Sequence, residues 1–225
     1  EMIPTDMKPG NISDESLWDI IERCVLSKEQ EKEIFDYSKD KGIMFFSTPF
    51  SREGADRLHE LGVEIFKIGS GECNNLPLIE HVAKFNKPMI LSTGMCNLEE
   101  VRDSVDAISD GQLILMHCVS NYPSDFNELN LKVIPNMKSE FNIPIGFSDH
   151  SIGPSMALAA LGLGASIIER HFTDNYIRIG PDISCSMDPV ALSDLVDGSK
   201  NIFNARGANK QPVIEEAPTI AFAFA

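Results

Sequence analysis

The sequence predicts an α/β fold, a (β/α)8 TIM barrel with about six of its eight βα units visible. Three observations carry this reading. From residue 41 onward, short apolar runs alternate with amphipathic stretches of helical length, the pattern of a parallel sheet under helical cover. Several runs are apolar at consecutive positions, as strands covered on both faces must be. Polar residues close every run: Thr48, Ser70 with Glu72, Ser92 with Thr93, Ser120, Ser148 with His150, and His171. An open doubly wound sheet gathers its site at one switch point. A barrel gathers it from the ends of nearly every strand, so the barrel fits better.

The expected strands are 42–47, 64–68, 88–92, 112–118, 144–148 and 166–171. The expected helices are 51–61, 76–85, 98–108, 129–141, 154–163 and 190–205. Gly62 directly follows the first helix and suits a left-handed terminator. Upstream, 16–25 and 28–40 read as helix, with Ser27 as N-cap and Gln30 three residues on. We divide the chain into a helical lead-in over 1–40, a barrel core over 41–207 and a linker over 208–225. Two further strands are expected before residue 41 and are not found there. The chain opens at Glu1 without an initiator methionine and stops in Ile-Ala-Phe-Ala-Phe-Ala, which reads as a piece of a longer protein.

Composition narrows the function. The 225 residues suffice for one large domain, and a hydrophobic fraction of 43% allows a sizeable core. Nineteen basic against 34 acidic residues give a formal charge of −15. That balance argues against nucleic acid or an anionic membrane as partner. An anionic ligand must then be drawn in by a few local cations. The five cysteines, Cys24, Cys73, Cys96, Cys118 and Cys185, are odd in number and include no CxxC pair. They read as reduced thiols of a cytoplasmic protein. No apolar run reaches the length of a membrane span, and no signal peptide is visible.

The chemistry centres on His150 and His171, which end two consecutive apolar runs with one helix-length stretch between them. On neighbouring parallel strands, about 4.8 Å apart, the two imidazoles share a rim. Strand periodicity puts Ser148 on the face of His150, and Glu169 on the face of His171. Two neutral nitrogens with added oxygen ligands suit Mn²⁺, with Zn²⁺, Fe²⁺ or Co²⁺ as alternatives. Spacing alone equally allows each histidine merely to bond a loop. His59 and His81 read as surface residues of helices, and His117 as a satisfied core residue. Lys67, inside an apolar run, needs a partner: either a neighbouring carboxylate or an anionic ligand. Ser70 on a Gly-Ser-Gly turn, Ser92 and Ser148 join Lys67 as a cradle for phosphate or carboxylate. Asp182, in Gly180-Pro181-Asp182, is either a turn residue or a ligand for a sugar hydroxyl.

Six ordered motifs go further. They are Lys67-Ile-Gly-Ser-Gly-Glu72, Leu91-Ser-Thr-Gly-Met95, His117-Cys118 with Tyr122-Pro123, Gly146-Phe-Ser-Asp-His150, Glu169-Arg-His-Phe-Thr173 and Gly180-Pro-Asp-Ile-Ser-Cys-Ser-Met187. Together they resemble the sialic acid synthase family, the bacterial N-acetylneuraminate synthases with their legionaminate and spore-coat polysaccharide relatives. The resemblance runs from about residue 41 to 225. It implies a (β/α)8 barrel that condenses phosphoenolpyruvate with an N-acetylmannosamine-type sugar, giving a sialic acid and phosphate. It implies a divalent metal on His150 and His171, Mn²⁺ before Mg²⁺ or Co²⁺. It implies that Thr48, Lys67, Ser70, Ser92 and Ser148 hold phosphoenolpyruvate, with Ser120 standing where some members carry Asn. Tyr122 and Asp182 match positions near the sugar. Glu72 matches a site carboxylate, which we group with Lys67 as catalytic. The implied whole protein is a homodimer whose small antifreeze-like C-terminal domain would follow residue 225.

Two features of the family have no match here: a strand carrying a catalytic glutamate and a strand carrying a second lysine. Neither Glu1 nor Glu15 follows an apolar strand. Two other readings stand beside the synthase. One is a different phosphate-binding barrel, either another phosphoenolpyruvate-dependent synthase or an aldolase with Lys67 as its Schiff base. The other is a non-catalytic carbohydrate-binding remnant. A requirement for phosphoenolpyruvate separates the synthase from the aldolase, and an upstream glutamate strand separates it from the remnant.

Overall fold

The computed structural model describes residues 16–108 and 112–224. Residues 1–15 of the expected lead-in, Glu1 and Glu15 included, lie outside the described residues. Two helices come first, α1 (Leu17–Cys24) and α2 (Lys28–Asp40). Ser27 caps α2 as its sequence predicts. Its Oγ accepts from the Gln30 amide at 3.2 Å, and the Gln30 side chain accepts from the Ser27 amide at 2.8 Å.

The repeating part follows as α3 (Arg52–Leu61), β1 (Phe66–Ile68), α4 (Leu76–Ala83), β2 (Met89–Ser92), α5 (Leu98–Ile108), β3 (Leu113–Cys118), α6 (Val133–Phe141), β4 (Ile145–Ser148), α7 (Ser155–Gly162), β5 (Ile168–Glu169) and α8 (Pro189–Ala205). A short helix, α9 (Ala217–Ala223), lies within the expected linker. The five strands are all parallel and pair in chain order. Gly62 ends α3 in the left-handed region, at φ 95°, where a side chain would be strained.

Three expectations are corrected. Residues 42–47 form no strand. The next residue, Thr48, approaches the end of β1: a Cβ on Gly69 would lie 3.4 Å from its methyl. Ile43 and Met44 are 66% and 52% exposed and only Phe45 packs against the core, so little burial holds this edge in register. The helix expected over 129–141 begins only at Val133, because Asn130 takes φ 45°, outside right-handed helical space. The helix expected over 76–85 stops at Ala83, just before Asn86 at φ 53°.

The period of two decides what each strand face does. Phe66, Ile68, Met89, Leu91, Leu115, Ile145 and Phe147 pack with Leu58, Ile79, Val82, Val101, Ile134 and Met137 of the helices into one core. Lys67, Ser92, Cys118, Ser148 and Glu169 alternate with them and face the other way. The first and last strands of five lie about 19 Å apart in a flat sheet, farther than two side chains span. Yet Lys67 Nζ on β1 is 3.4 Å from Glu169 Oε2 on β5, so the sheet curls toward this polar face. Five consecutive βα units on one curled parallel sheet form an arc of a (β/α)8 barrel. Among the described residues, no helix is long and apolar enough to cross a membrane.

His117 is a satisfied core residue, as expected. It is 8% exposed, and its Nε2 donates to the Leu129 carbonyl at 2.7 Å. His59 is exposed and stacks on Phe85, while His81 pairs with Asp56 at 2.7 Å.

Two predictions follow from the sheet. A Cβ on Gly146 would run into the Met116 thioether and lie 2.9 Å from the Ile167 carbonyl oxygen. Gly146→Ala is therefore expected to cost about 1–3 kcal/mol, measured as a lower urea midpoint. Burial also holds the His117 imidazole below its ordinary value of 6.5. The unfolded chain then binds that proton more readily. Stability from His117 is present above its unfolded pKa and is lost as pH falls through the folded one. His117→Gln keeps a donor for Leu129, and it is expected to flatten the fall in urea midpoint between about pH 7 and pH 5.

Candidate active site

The floor of the polar face is a chain of four side chains. Lys67, 6% exposed, donates from Nζ to Ser92 Oγ at 2.7 Å and pairs with Glu169 at 3.4 Å. Ser148 Oγ donates to the other carboxylate oxygen of Glu169 at 2.7 Å. The lysine thus has the carboxylate partner its burial demands, and it still faces the strand ends. Glu169 is the functional candidate that the sequence reading did not single out. Its signal was a carboxylate inside an apolar run, two residues before His171 on the same face.

Cys118 completes this level, paired across from Ser148. Burial pushes its thiol up, but hydrogen bonds with His150 and Ser70 outweigh that and bring it below the usual thiol range. Just above, Ser70 Oγ accepts from the Gly94 amide at 3.0 Å. A Cβ on Gly94 would collide with Ser120 and lie 2.8 Å from Ser70 Oγ and 3.2 Å from the Cys118 sulfur. Glycine there lets three strand ends converge.

The two histidines stand at the rim with ring centroids 5.4 Å apart. His150 is 4% exposed and donates from Nδ1 to the Val119 carbonyl at 2.8 Å. His171 Nδ1 lies 3.6 Å from Asp182 Oδ2. Both rings therefore turn Nδ1 toward an oxygen, the orientation in which metal-binding histidines are usually held, and the His150 ring also hydrogen-bonds Cys118. Tyr122 packs its ring on His150 at 4.0 Å and edge-on to His171 at 5.6 Å. Burial, with Cys118 and Asp182 nearby, pushes the Tyr122 hydroxyl well up. Burial lowers His171, against the pull of Asp182. Burial also opposes charge on His150, but the Cys118 and Val119 contacts reverse it, and His150 is raised.

These donors fit a divalent ion held at an open site. Two imidazoles stand side by side, with ring centroids 5.4 Å apart. No group of three or more His, Cys, Asp or Glu among the described residues is placed to enclose an ion, so the remaining positions would fall to solvent and substrate.

The structure brings Lys67, Ser70, Ser92, Ser120, Tyr122, Ser148, His150, His171 and Asp182 together on one rim. Thr48 reaches only the flank, against Gly69. Glu72 is half-buried, and its carboxylate accepts from the Asn75 side chain at 2.5 Å. Among the described residues, neither Thr48 nor Glu72 bonds the lysine or histidine groups.

Curled parallel strands with a polar site at their C-terminal ends define a (β/α)8-barrel protein. The NeuB family model matches residues 5–211, and the chain belongs to that family. It is 40% identical over 200 residues to the N,N'-diacetyllegionaminic acid synthase of Campylobacter jejuni, covering 87% of this chain and 60% of that protein. It is 37% identical over 209 residues to the enzyme of the same name from Legionella pneumophila, covering 89% and 59%. The chain thus spans about 60% of the length of these curated relatives. The N-acetylneuraminic acid synthetase of Leptospira borgpetersenii superposes with a TM-score of 0.85 at 33% identity, over 92% of this chain and 74% of that one.

The Lys67–Glu169 pair is lopsided. The lysine side chain is 8% exposed and the glutamate 40%, so solvent screens the carboxylate end. A double-mutant cycle with Lys67→Met and Glu169→Gln is expected to give a coupling of about 1 kcal/mol or less, measured by urea unfolding.

Proposed function

We propose that the whole protein is a nonulosonate synthase that condenses phosphoenolpyruvate with an N-acetylmannosamine-type sugar, consuming one water at carbon 2 of phosphoenolpyruvate and releasing phosphate. The observation that carries this reading is the shared rim. A buried lysine among serines lies on the same rim as a histidine pair whose ring centroids are 5.4 Å apart. The names of the similar proteins, legionaminic and sialic acid synthases, support the same reaction class. In this reading His150 and His171 hold the ion, Mn²⁺ by preference. Residues 208–225 are a linker, and the whole protein is a cytoplasmic homodimer.

Each residue then has a defined task. Lys67, Ser70, Ser92 and Ser148 hold the phosphate and carboxylate of phosphoenolpyruvate, with Ser120 and Thr48 at the margins. They aim its carbon 3 at the sugar aldehyde and keep hold of the phosphate as it leaves, so positioning and electrostatics supply much of the rate. The ion, when bound, polarises the aldehyde as a Lewis acid. Tyr122 walls the sugar against both imidazoles, and Asp182 orients His171 while facing the sugar. Glu72 joins as a site carboxylate once substrate is bound.

An aldolase with a Schiff base on Lys67 is disfavoured. The ammonium is already committed to Ser92 and Glu169, an arrangement for binding an anion rather than for attacking a carbonyl.

The test is phosphate release by the whole protein with Mn²⁺, phosphoenolpyruvate and N-acetylmannosamine or a diacetamido analogue. Release is expected, and Lys67→Ala is expected to abolish it. Silence with every 2-acetamido sugar would sink the proposal. His150→Ala and His171→Ala are each expected to weaken Mn²⁺ binding by about tenfold or more. Unchanged affinity in either variant removes that ligand.

A further inference from the structure

Directly before each histidine stands a buried charge. Asp149 precedes His150 and Arg170 precedes His171. Their side chains are 0% and 1% exposed, and Arg170 Nη1 lies 3.6 Å from Asp149 Oδ2. Asp149 Oδ1 accepts from the Ser151 amide at 2.9 Å and from the Ser151 hydroxyl at 2.7 Å. The carboxylate therefore closes a tight turn with His150 at its middle. The guanidinium donates to the carbonyls of Ser151 and Gly153, and to that of Cys185 at 3.4 Å. Cys185 is itself tied to Asp182, its amide donating to the Asp182 carbonyl at 3.2 Å. One planar cation thus gathers the turn of His150, the strand end of His171 and the loop that carries Asp182.

The pair is expensive to bury. Charges at this depth persist only with close partners, and Asp149 Oδ2 and Arg170 Nε have no hydrogen-bond partner among the described residues. A fold that needed only to connect two loops could do so with apolar side chains. A planar donor reaching several acceptors instead fixes direction as well as distance. Neither residue faces the ligand-binding side, because strand alternation turns both away from their histidine neighbours.

We propose that Arg170 and Asp149 are positioning residues, which set the separation and tilt of His150 and His171 for a shared divalent ion. This rests on the metal reading above.

The experiment uses the whole protein and Mn²⁺ alone. Affinity is read by calorimetry, ion symmetry by electron paramagnetic resonance, and metal-free stability by thermal melting. Asp149→Asn, Arg170→Met and Arg170→Lys are expected to weaken Mn²⁺ binding by about 10- to 100-fold and to alter the resonance of the ion that still binds. Arg170→Lys keeps the buried charge but not the planar fork, so it serves where the methionine variant does not fold. Ile79→Val is the control, since Ile79 lies in the helical core away from this rim. It is expected to lower the melting temperature and leave Mn²⁺ affinity and spectrum unchanged. A folded Arg170→Lys or Arg170→Met with wild-type affinity and spectrum overturns the proposal. So does an Ile79→Val that loses affinity in step with its stability. A wild-type protein that binds no Mn²⁺ overturns the metal reading itself, a result distinct from the other two.

Discussion

The register of the five parallel strands sets everything above it. Lys67 pairs with Ile90, Ser92 with Met116, Cys118 with Ser148, and Ser148 with Glu169. With side chains alternating at a period of two, that register puts the apolar half of each strand under the helices and the polar half on one curled face. A slip of one residue would send Lys67, Ser92, Ser148 or Glu169 toward the helical core and an apolar neighbour into the site. The apolar core therefore protects the site by making every alternative register costly. Burial of Phe66, Ile68, Leu91, Leu115 and Phe147, all at 0% exposure, aims the residues between them.

Most of this was legible in the sequence, for a definite reason. Apolar runs closed by Ser, Thr or His announce strand ends, and five of six such runs are strands. The exception, 42–47, has the right composition but only Phe45 packed against the core to fix its pairing, and composition alone does not reveal burial. Helix ends were misjudged where Asn130 and Asn86 take positive φ, since asparagine at such sites looks like any polar helix residue. The histidine pair was visible because each histidine ends one of two consecutive apolar runs, and the register that pairs Ser148 with Glu169 brings those ends level. Glu169 and Cys118 were harder. Glu169 earns its role by reaching Lys67 across the sheet, a contact set by curvature that no one-dimensional spacing encodes. Cys118 read only as a reduced thiol, and its contacts with Ser70, Ser120 and His150 come from the folded arrangement.

Two buried cations lie close in sequence terms to the rim, and their partners divide the labour between them. Arg170 and Asp149 are both out of solvent. Breaking such a pair from one side typically costs about 3–5 kcal/mol, which suits a permanent fixture. Lys67 is as deeply buried as its strand allows, but its partner Glu169 is 40% exposed. A carboxylate in contact with water remains solvated when its lysine turns to another anion, so the exchange costs little.

That asymmetry answers how a chain carrying a net charge of −15 can attract an anionic substrate at all. Long-range attraction is not available to it, since exposed charges beyond about 8 Å are screened at physiological ionic strength. Under the proposed function, the ligand would instead win at short range, by replacing Glu169 at a lysine that Ser92 already holds in place. Under the proposed reaction, phosphoenolpyruvate brings a phosphate and a carboxylate to that exchange, against the single charge of Glu169. Ser148, which donates to Glu169 in this structure, would under that proposal have a hydroxyl donor to offer the anion once Glu169 is displaced.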